Sequence, residues 1–446
     1  MDSFEKETAM SEISTRQKLY PWLVVLACGM MACGSIGLCT IIMGSFYVPV
    51  SESLGVEESS VAFYMTIVCL GQAVGMPLAG RLVPKMNIAV HLTLINALQA
   101  AAVVVMALYG QVWMWYLSGA IIGVCMGFNT SVGLAIILGN WFSKKTGFAI
   151  GMAWAISSVI NAIMSPVMTA IIQAVGWRIA YVFLGLFAAA LMCLPTLCII
   201  RLYPSQKGLL PYGHGEPDAL EGEEALRGVS FRAAVPSVAF CLLILAMALI
   251  VMTTVTNQLF PTYAVSVGFT PAIGSMMVSA AFICDIAFNP LIGWTCDKFG
   301  ADKGVLMWTG VTILSFVVLS LSSASPVLAC IGAGLNDSMY AVFGTGIAML
   351  SLAMFGKKDY AKIYSLVPAL GYLLGMFGLP ILTKIYEVTG GFLSVWMVCL
   401  ACDVAIALCV IFGMKLAQRM DHEPDPQALA EFRAGQSQAG VQHDAQ

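Results

Sequence analysis

The chain has 446 residues, of which 59% are hydrophobic and only 10% are charged, with a formal net charge of −3. Soluble domains carry about 25% charged residues, so this composition excludes a soluble globular protein and predicts an integral membrane protein. The small net charge says little about a partner. We expect a lipid bilayer around the protein and no nucleic-acid partner.

Long apolar segments follow one another along the whole chain. Each has about 20 residues or more, enough to cross a hydrocarbon core of about 30 Å as a helix. Backbone groups in lipid must be hydrogen-bonded within the segment, and the segments are too long and too uniformly apolar for barrel strands. An all-α fold is therefore predicted, with membrane helices at about residues 21–46, 58–80, 88–109, 112–139, 147–174, 178–201, 233–257, 270–293, 304–323, 326–354, 360–386 and 391–415.

Polar segments divide the chain. We predict a leader, a first six-helix bundle, a linker, a second six-helix bundle and a tail at residues 1–19, 20–201, 202–232, 233–416 and 417–446. The leader is polar and predicted to be mobile, and the tail has too little apolar content to fold. The linker contains prolines and an acidic cluster of Glu221, Glu223 and Glu224, typical of a connection between two bundles.

Lysine and arginine placement predicts the orientation. Of the 21 basic residues, all but Arg178 and Lys384 lie in or beside the leader, the tail and connections on one side of the predicted bundle. The positive-inside rule places that side in the cytoplasm, together with both termini. The first span has no cleavage site and is predicted to be retained. A multi-pass protein of the plasma membrane is expected.

An internal repeat relates the two predicted bundles. A shift of 213 residues, from Gly80 to Gly293, aligns two separated connections without a gap. The aligned pairs are Pro77 with Pro290, Gly80 with Gly293, Lys85 with Lys298, Gly133 with Gly346, and Phe142 with Phe355. The repeat predicts two homologous six-helix halves in parallel orientation. Many transporters are built from such repeats, with the solute site near the midplane between them.

The connections aligned by the repeat resemble a known family signature. In the second copy the matching residues are Gly293, Asp297, Lys298, Gly300 and Lys303. They resemble the glycine, aspartate and basic signature between helices 2 and 3 of the major facilitator superfamily. The first copy keeps Gly80 and Lys85 but has Pro84 in place of the aspartate. The resemblance implies twelve helices in two pseudo-symmetric bundles, with these residues acting in gating.

A narrower resemblance lies in NWFSKKTGFAIGMAWA, residues 140–155, and in GWRIAY, residues 176–181. Both stretches resemble the monocarboxylate-transporter and oxalate/formate-antiporter branches, which implies a carboxylate solute. Monocarboxylate carriers have an aspartate on helix 8 followed four residues later by an arginine. Asp285 fits this pattern, whereas Asn289 stands at the arginine position. An amide can hydrogen-bond a solute but cannot neutralise an anion.

Three aspartates lie deep in predicted spans. Asp285 precedes Gly293 by eight residues, about 12 Å along a helix, and an ionised carboxylate at that depth costs about 2.5–3.5 kcal/mol or more. We expect Asp285 to contact solute or couple protons, with a helix–helix hydrogen bond as the alternative. Asp337, beside Asn336, is the second candidate for a proton or cation. For Asp403, on helix 12, we predict a packing hydrogen bond.

Further polar and aromatic residues in the spans complete the candidate site. Each could contact the solute or hydrogen-bond another helix: Asn129, Trp154, Asn161, Asn257 and Tyr372. Asn289 shares a helix face with Asp285, and packing alone could also explain it.

Several functional classes lack their required residues. The chain contains no nucleotide-binding loop and no HExxH motif, so we predict neither an enzyme nor a cofactor. The 14 cysteines are scattered over apolar segments, where cysteine acts as a small hydrophobe, and they predict no metal site. We predict a secondary active transporter of a small organic solute, by resemblance a carboxylate, acting as a monomer by alternating access with proton symport or anion exchange. The alternatives are a transport-fold solute sensor or a carrier of a neutral or cationic solute.

Overall fold

The computed structural model describes residues 2–56, 60–61, 63–85, 87–213 and 227–424. Within these residues, twelve helices are long and apolar enough to cross a membrane. The predicted all-α fold with twelve membrane helices is therefore confirmed. The acidic cluster predicted in the linker and residues 425–446 of the predicted tail lie outside the described residues.

The first six helices show two interruptions of regular geometry. The helix α1 contains a π-helical segment, and α4 is broken at Thr130, whose φ and ψ are −104° and −134°. The bounds are Asp2–Ala32, Cys33–Ile41 and Gly44–Leu54 for α1, Tyr64–Leu82 for α2, Ile88–Val105 for α3, and Val112–Asn129 and Ser131–Trp141 for α4. Helix α1 begins inside the leader, which we predicted to be mobile; the leader has no glycine or proline to end a helix.

Helices α5 and α6 share the helical stretch Thr146–Cys198, which is interrupted at Gly176. The backbone of Gly176 has φ +81° and ψ 161°, a conformation that residues with a side chain rarely adopt. Helix α5 therefore covers residues 146–175 and α6 covers residues 177–198. The Tyr20 hydroxyl, near the start of the first membrane span, donates to the carbonyl of Ile199, just after α6 (2.8 Å). Helix α6 therefore ends on the side of the bundle where the first span begins.

The second six helices also contain interruptions of regular helical geometry. Helix α10 is interrupted at Asp337 and again by a π-helical segment. The bounds are Val238–Thr254, Val255–Leu259 and Phe260–Ser266 for α7, Pro271–Phe299 for α8, Ala301–Leu321 for α9, Pro326–Asn336, Ser338–Ala341, Val342–Gly346 and Ile347–Phe355 for α10, Tyr360–Gly375 and Gly378–Thr389 for α11, and Phe392–Ala417 for α12.

Both described chain ends meet the linker at one end of the bundle, which we call the terminal face. Gln17 donates to the carbonyl of Leu210 (2.9 Å). After residues 214–226, the two-residue strand β1 (Arg227–Gly228) pairs antiparallel with β2 (Glu423–Pro424). The Lys358–Glu423 ion pair (2.7 Å) adds a side-chain contact there.

The two ends of the linker bind equivalent positions of the repeat. The Tyr212 N–H donates to the carbonyl of Trp141 (2.8 Å), at the end of α4. The Val229 N–H donates to the carbonyl of Phe355 (2.7 Å), at the end of α10. Trp141 is adjacent to Phe142, the repeat partner of Phe355. Each half therefore holds the nearer end of the linker by backbone hydrogen bonds.

Asp359 anchors the linker to the start of α11. Its carboxylate accepts from the Phe231 N–H (2.9 Å) and from the Lys362 ammonium (2.6 Å). Partial burial acts to raise the pKa of Asp359, but the hydrogen bonds from Lys362 and Phe231, with the charge of Lys358, hold the pKa below its ordinary value. A lowered carboxylate pKa means that the contact stabilises the fold above the ordinary pKa and loses this effect as pH falls through the lowered one.

We predict that Asp359→Asn lowers the thermal unfolding midpoint by about 1–2 °C at pH 7. The effect is small because a pair this exposed is screened by solvent. The difference from the unmodified protein should narrow as pH falls below about 4, the ordinary aspartate pKa. Asp421→Asn, an exposed change on the same face, is the matched control, and a difference for Asp359→Asn that grows on acidification would contradict this assignment.

Candidate functional site

Two aspartates, the half-buried Asp285 of α8 and the buried Asp337 of α10, lie between the two halves. Asp285 accepts hydrogen bonds from the Ser158 hydroxyl of α5 (2.5 Å) and from the Asn289 amide one turn along α8 (2.7 Å). Asp337 accepts from the Asn257 amide of α7 (3.1 Å). The carboxyl groups of Asp285 and Asp337 are close enough to interact electrostatically. Elements of both halves therefore converge on one acidic pair.

A bound proton would stabilise this pair. Asp337 is 2% exposed, and its Oδ2 finds no donor among the described residues. Two ionised carboxylates cannot donate to each other, and neighbouring like charges repel. A proton on either group would convert the contact into a hydrogen bond and supply the missing donor. The arrangement can therefore hold one exchangeable proton between α8 and α10.

No fixed positive charge neutralises the pair. The sequence contains no lysine, arginine or histidine at residues 147–177, 233–297 or 304–356, which include α7, α10 and most of α5, α8 and α9. Asn289 is not a free substitute for a cation, because its amide donates to both the carboxylate and the carbonyl of Asp285 (2.7 and 3.1 Å). An anionic solute would meet net negative charge here unless a proton bound with it.

Between this pair and the terminal face, α5 and α8 cross at very short distance. A Cβ added to Gly151 would lie 2.0 Å from the carbonyl oxygen of Asn289, and one added to Gly293 would lie 2.1 Å from that of Gly147. Such close backbone approach requires glycine at the contacting positions Gly151 and Gly293. One helix belongs to each half, so the crossing closes the terminal face on this side.

Asp297 completes the α5–α8 contact at the terminal face. Its two carboxylate oxygens accept from the backbone N–H groups of Gly147 (2.9 Å) and Phe148 (2.8 Å), in the first turn of α5. A carboxylate is favourable at a helix N-terminus because it satisfies free N–H groups and the helix dipole. The gating signature of one half thus contacts a helix end of the other half.

The first copy of the signature closes the opposite side of the same face. A Cβ added to Gly80 of α2 would lie 2.2 Å from the Ser365 hydroxyl and 2.4 Å from the Ala361 carbonyl oxygen, both on α11. Gly80 and Gly293, related by the repeat, therefore both occupy crossings between the halves. Gly80 lacks the charged contact of the second copy, because Pro84 stands at the aspartate position.

The sequence profile of the Major Facilitator Superfamily matches residues 25–282 and also residues 242–439. The chain belongs to the major facilitator superfamily. It is 20% identical to human monocarboxylate transporter 12 over 89% of this chain and 82% of that protein. It is 24% identical to the multidrug resistance protein MdtG of Proteus mirabilis over 61% of this chain and 67% of that protein.

Solved structures show the same fold. The E. coli fucose:proton symporter FucP aligns with a TM-score of 0.65 and 14% identity over 89% of this chain and 99% of that chain. The proton:xylose symporter XylE aligns with a TM-score of 0.68 and 15% identity over 89% of this chain and 96% of that chain. This major facilitator protein is therefore a solute transporter and not an enzyme, and it is an integral multi-pass membrane protein.

The remaining residues of the gating signature of this superfamily member lie around the α8–α9 turn. The Lys298 ammonium lies over the Trp294 ring (4.7 Å), so it contacts an aromatic face instead of a helix end. Gly300 has φ +96°, which permits the sharp turn into α9. Lys85 and Lys303 are exposed at the terminal face. The gating role of all these residues stays a prediction.

Four residues that we predicted to contact the solute form no hydrogen bond with the acidic pair in the described part of the chain. Asn336 is held between α7 and α9, by Thr256 (2.9 Å) and Ser315 (3.2 Å), which favours the structural alternative. The others have partners elsewhere: Asn129 donates to Gln99 (2.9 Å), Asn161 accepts from Cys33 (3.3 Å), and Tyr372 packs edge-on against Phe343 (5.6 Å between ring centroids).

Asp403 does not make the packing hydrogen bond that we predicted. It is fully buried in α12, and neither carboxylate oxygen has a donor among the described residues. The prediction was wrong because the surrounding helix face is apolar. Cys399, one turn before, and Ile406, nearly one turn after, are also fully buried.

Sequence reasoning did not assign Gly147 and Gly151 to the candidate site. These two glycines form the α5–α8 crossing. One signal was present: Gly147 and Gly151 are four residues apart. Small residues at this spacing mark one face of a helix for close packing in membranes.

We predict that Asp297→Asn speeds hydrogen exchange at the Gly147 and Phe148 amides by about five- to thirtyfold. Loss of the charge weakens the cap of α5 by about 1–2 kcal/mol, so the terminal face opens more often. Mass-spectrometric exchange of the 146–150 peptide measures this. Asp302→Asn, in the first turn of α9, is the control and should leave exchange unchanged; equal rates in both variants would contradict a closing role for Asp297.

Proposed function

We propose that this protein is a proton-coupled secondary transporter of a small organic solute, with Asp285 and Asp337 as its proton site. The observation that carries the proposal is the proximity of these two carboxyl groups inside the membrane, in which the buried Asp337 Oδ2 lacks a donor. Intramembrane acids at a boundary between moving halves are typical of proton-driven carriers. Anion exchange is less well supported, because the region offers no basic residue.

The Ser158–Asp285 hydrogen bond links proton binding to movement of the halves. Ser158 belongs to the first half and Asp285 to the second, and their oxygens are 2.5 Å apart. Hydrogen bonds to an ionised carboxylate are about twice as strong as neutral ones. A proton that settles on Asp285 therefore weakens a bond between the halves. The proton thus has different affinities for the closed and separated arrangements, which coupling requires.

The charge of the site favours a solute that brings no net negative charge. That condition is met by a neutral solute, or by a monocarboxylate that binds together with a proton. The resemblance to monocarboxylate transporter 12 supports the second class, and the fold shared with sugar:proton symporters is compatible with the first. In both cases the loaded site carries one proton more than the empty, ionised site.

The terminal face is proposed to be cytoplasmic, with the protein in the plasma membrane. Basic side chains support this orientation: Lys85, Lys145, Lys298, Lys303, Lys358 and Lys362 all lie at that face. Solute and proton would then be released into the cytoplasm when α5 separates from α8. A monomer suffices, because both halves of the site lie in one chain.

We predict that Asp285→Asn reduces uptake driven by a pH gradient at least tenfold while the protein remains folded. The amide cannot bind or release a proton at this position. Proteoliposomes with an imposed pH gradient and a labelled solute measure the effect. Asp403→Asn removes an equally deep acid outside the site and should retain uptake. Persistence of pH-driven uptake in Asp285→Asn would contradict a role of Asp285 in proton coupling.

A solute panel should separate the two solute classes. We expect L-lactate, if it is carried, to raise the thermal unfolding midpoint of the purified protein more at pH 5.5 than at pH 8, because its carboxylate needs a proton to bind. D-xylose should show a weaker pH dependence. Ligand at ten times its Kd stabilises by about 1.4 kcal/mol. Stronger stabilisation by lactate at pH 8 would contradict binding together with a proton.

A further inference from the structure

We propose that Trp154 is the solute-contacting hydrogen-bond donor of this transporter. Its indole N–H is covered by Gly344 in the present arrangement and would be uncovered when the halves separate at the terminal face. This inference rests on the proposed function and adds a residue that recognises the solute through a hydrogen bond. The solute class it requires is one with an exposed oxygen acceptor, such as a carboxylate, carbonyl or hydroxyl group.

The Trp154 indole N–H is a donor without an acceptor. Its Nε1 atom is buried and bonds to none of the described residues. Buried tryptophan N–H groups usually find a partner, because an unsatisfied donor is unfavourable in a dry interior. Trp115 and Trp308, in contrast, donate to Tyr181 (3.2 Å) and Thr295 (2.9 Å). The N–H of Trp396 is also unpaired among the described residues, but that ring packs among other aromatic rings of the second half. The unpaired state of Trp154 therefore requires an explanation.

The position of Trp154 connects this donor to the proton site. Trp154 lies four residues before Ser158 on α5, so the two share a face about 6 Å apart along the axis. Ser158 bonds to Asp285, and Trp154 lies on the side nearer the terminal face. A solute held beside the acidic pair would meet Trp154 next on its way to that face.

The group that covers Trp154 belongs to the other half. A Cβ added to Gly344 of α10 would lie 3.2 Å from Trp154 Nε1. Gly344 lies in the π-helical segment Val342–Gly346, a distortion that is frequent at functional sites. Because α5 and α10 belong to different halves, their separation uncovers the N–H. The donor is thus hidden in one arrangement and available in the other.

Three side chains around the acidic pair already donate to its carboxyl groups. Ser158 and Asn289 donate to Asp285, and Asn257 donates to Asp337. Among the described residues of this neighbourhood, Trp154 keeps an unused donor. A neutral N–H can bind a solute oxygen without the charge that an arginine would bring, which suits a site whose charge balance depends on a proton.

Trp154→Phe tests the inference, because phenylalanine keeps an aromatic ring but removes the N–H. Labelled L-lactate and D-xylose are the probes, in proteoliposomes under a fixed pH gradient. For the probe that the unmodified protein carries, we expect KM to rise about tenfold while the maximal rate changes less than about twofold. The control is Trp113→Phe, an exposed tryptophan at the start of α4, which should change neither.

Gly344→Ala provides a second test that leaves the tryptophan in place. The added methyl group would lie 3.2 Å from Nε1, closer than an ordinary contact, so it disfavours the arrangement in which Gly344 covers the N–H. We expect KM to fall in this variant, with the thermal unfolding midpoint confirming that it is folded. An unchanged KM in both variants would mean that the Trp154 ring only packs against Gly344, and would overturn the inference. Failure of the unmodified protein to take up either oxygen-bearing probe would also overturn it.

Asp285→Asn in the same vesicles separates this inference from the proposed function. If Asp285→Asn loses the response to pH while Trp154→Phe transports normally, the proton site stands and only the role of Trp154 fails. If Asp285→Asn also responds normally to pH, the proposed coupling fails first. A raised KM in Trp154→Phe with an unchanged pH profile is the outcome that supports both.

Discussion

The structure depends on the close crossing of α5 and α8. Gly147 and Gly151 on one helix face Gly293 and the Asn289 backbone on the other, at distances that no Cβ would permit. In lipid there is little hydrophobic drive between helices, so backbone proximity and interhelical hydrogen bonds hold such contacts. The crossing brings the N–H groups at the start of α5 onto Asp297 and, about three turns deeper, places Ser158 against Asp285. The closed face and the proton site are therefore consequences of one packing geometry.

In the proposed mechanism, the acidic pair makes this packing a two-state element. With both carboxyl groups ionised, the pair repels internally, while Asp285 accepts a strong bond from Ser158 across the halves. With one proton bound, the internal contact with Asp337 becomes favourable and the bond across the halves can weaken. Proton occupancy therefore transfers stabilisation between a contact within one half and a contact between halves. Such differential interaction is what lets a bound species shift a conformational equilibrium.

The sequence predicted the fold because helix length and apolar composition alone determine which segments can span a bilayer. It also singled out Asp285 and Asp337, since an acid in an apolar span is costly. The proximity of Asp285 and Asp337 could not be predicted from the sequence, because no local pattern relates side chains on α8 to side chains on α10. Asn336 shows the limit well: it adjoins Asp337, yet the turn of the helix directs it to Thr256 and Ser315. Asp403 shows the converse, where depth alone suggested a partner that packing does not provide.

The two copies of the repeat have diverged in how they close the terminal face. On the α2–α11 side, Gly80 packs against Ser365 and Ala361, and Pro84 replaces the aspartate. On the α5–α8 side, Asp297 adds charge-assisted bonds to the same kind of crossing. Both charged contacts between the halves, at Asp297 and at Asp285, therefore act on one helix pair. In the proposed mechanism, a proton at Asp285 loosens the same crossing that Asp297 holds closed. Because the Asp297 contact and the Asp285 contact both lie on α5 and α8, a proton on Asp285 would act directly on the helix pair that closes the terminal face. The α2–α11 side of the bundle would not need to transmit the change.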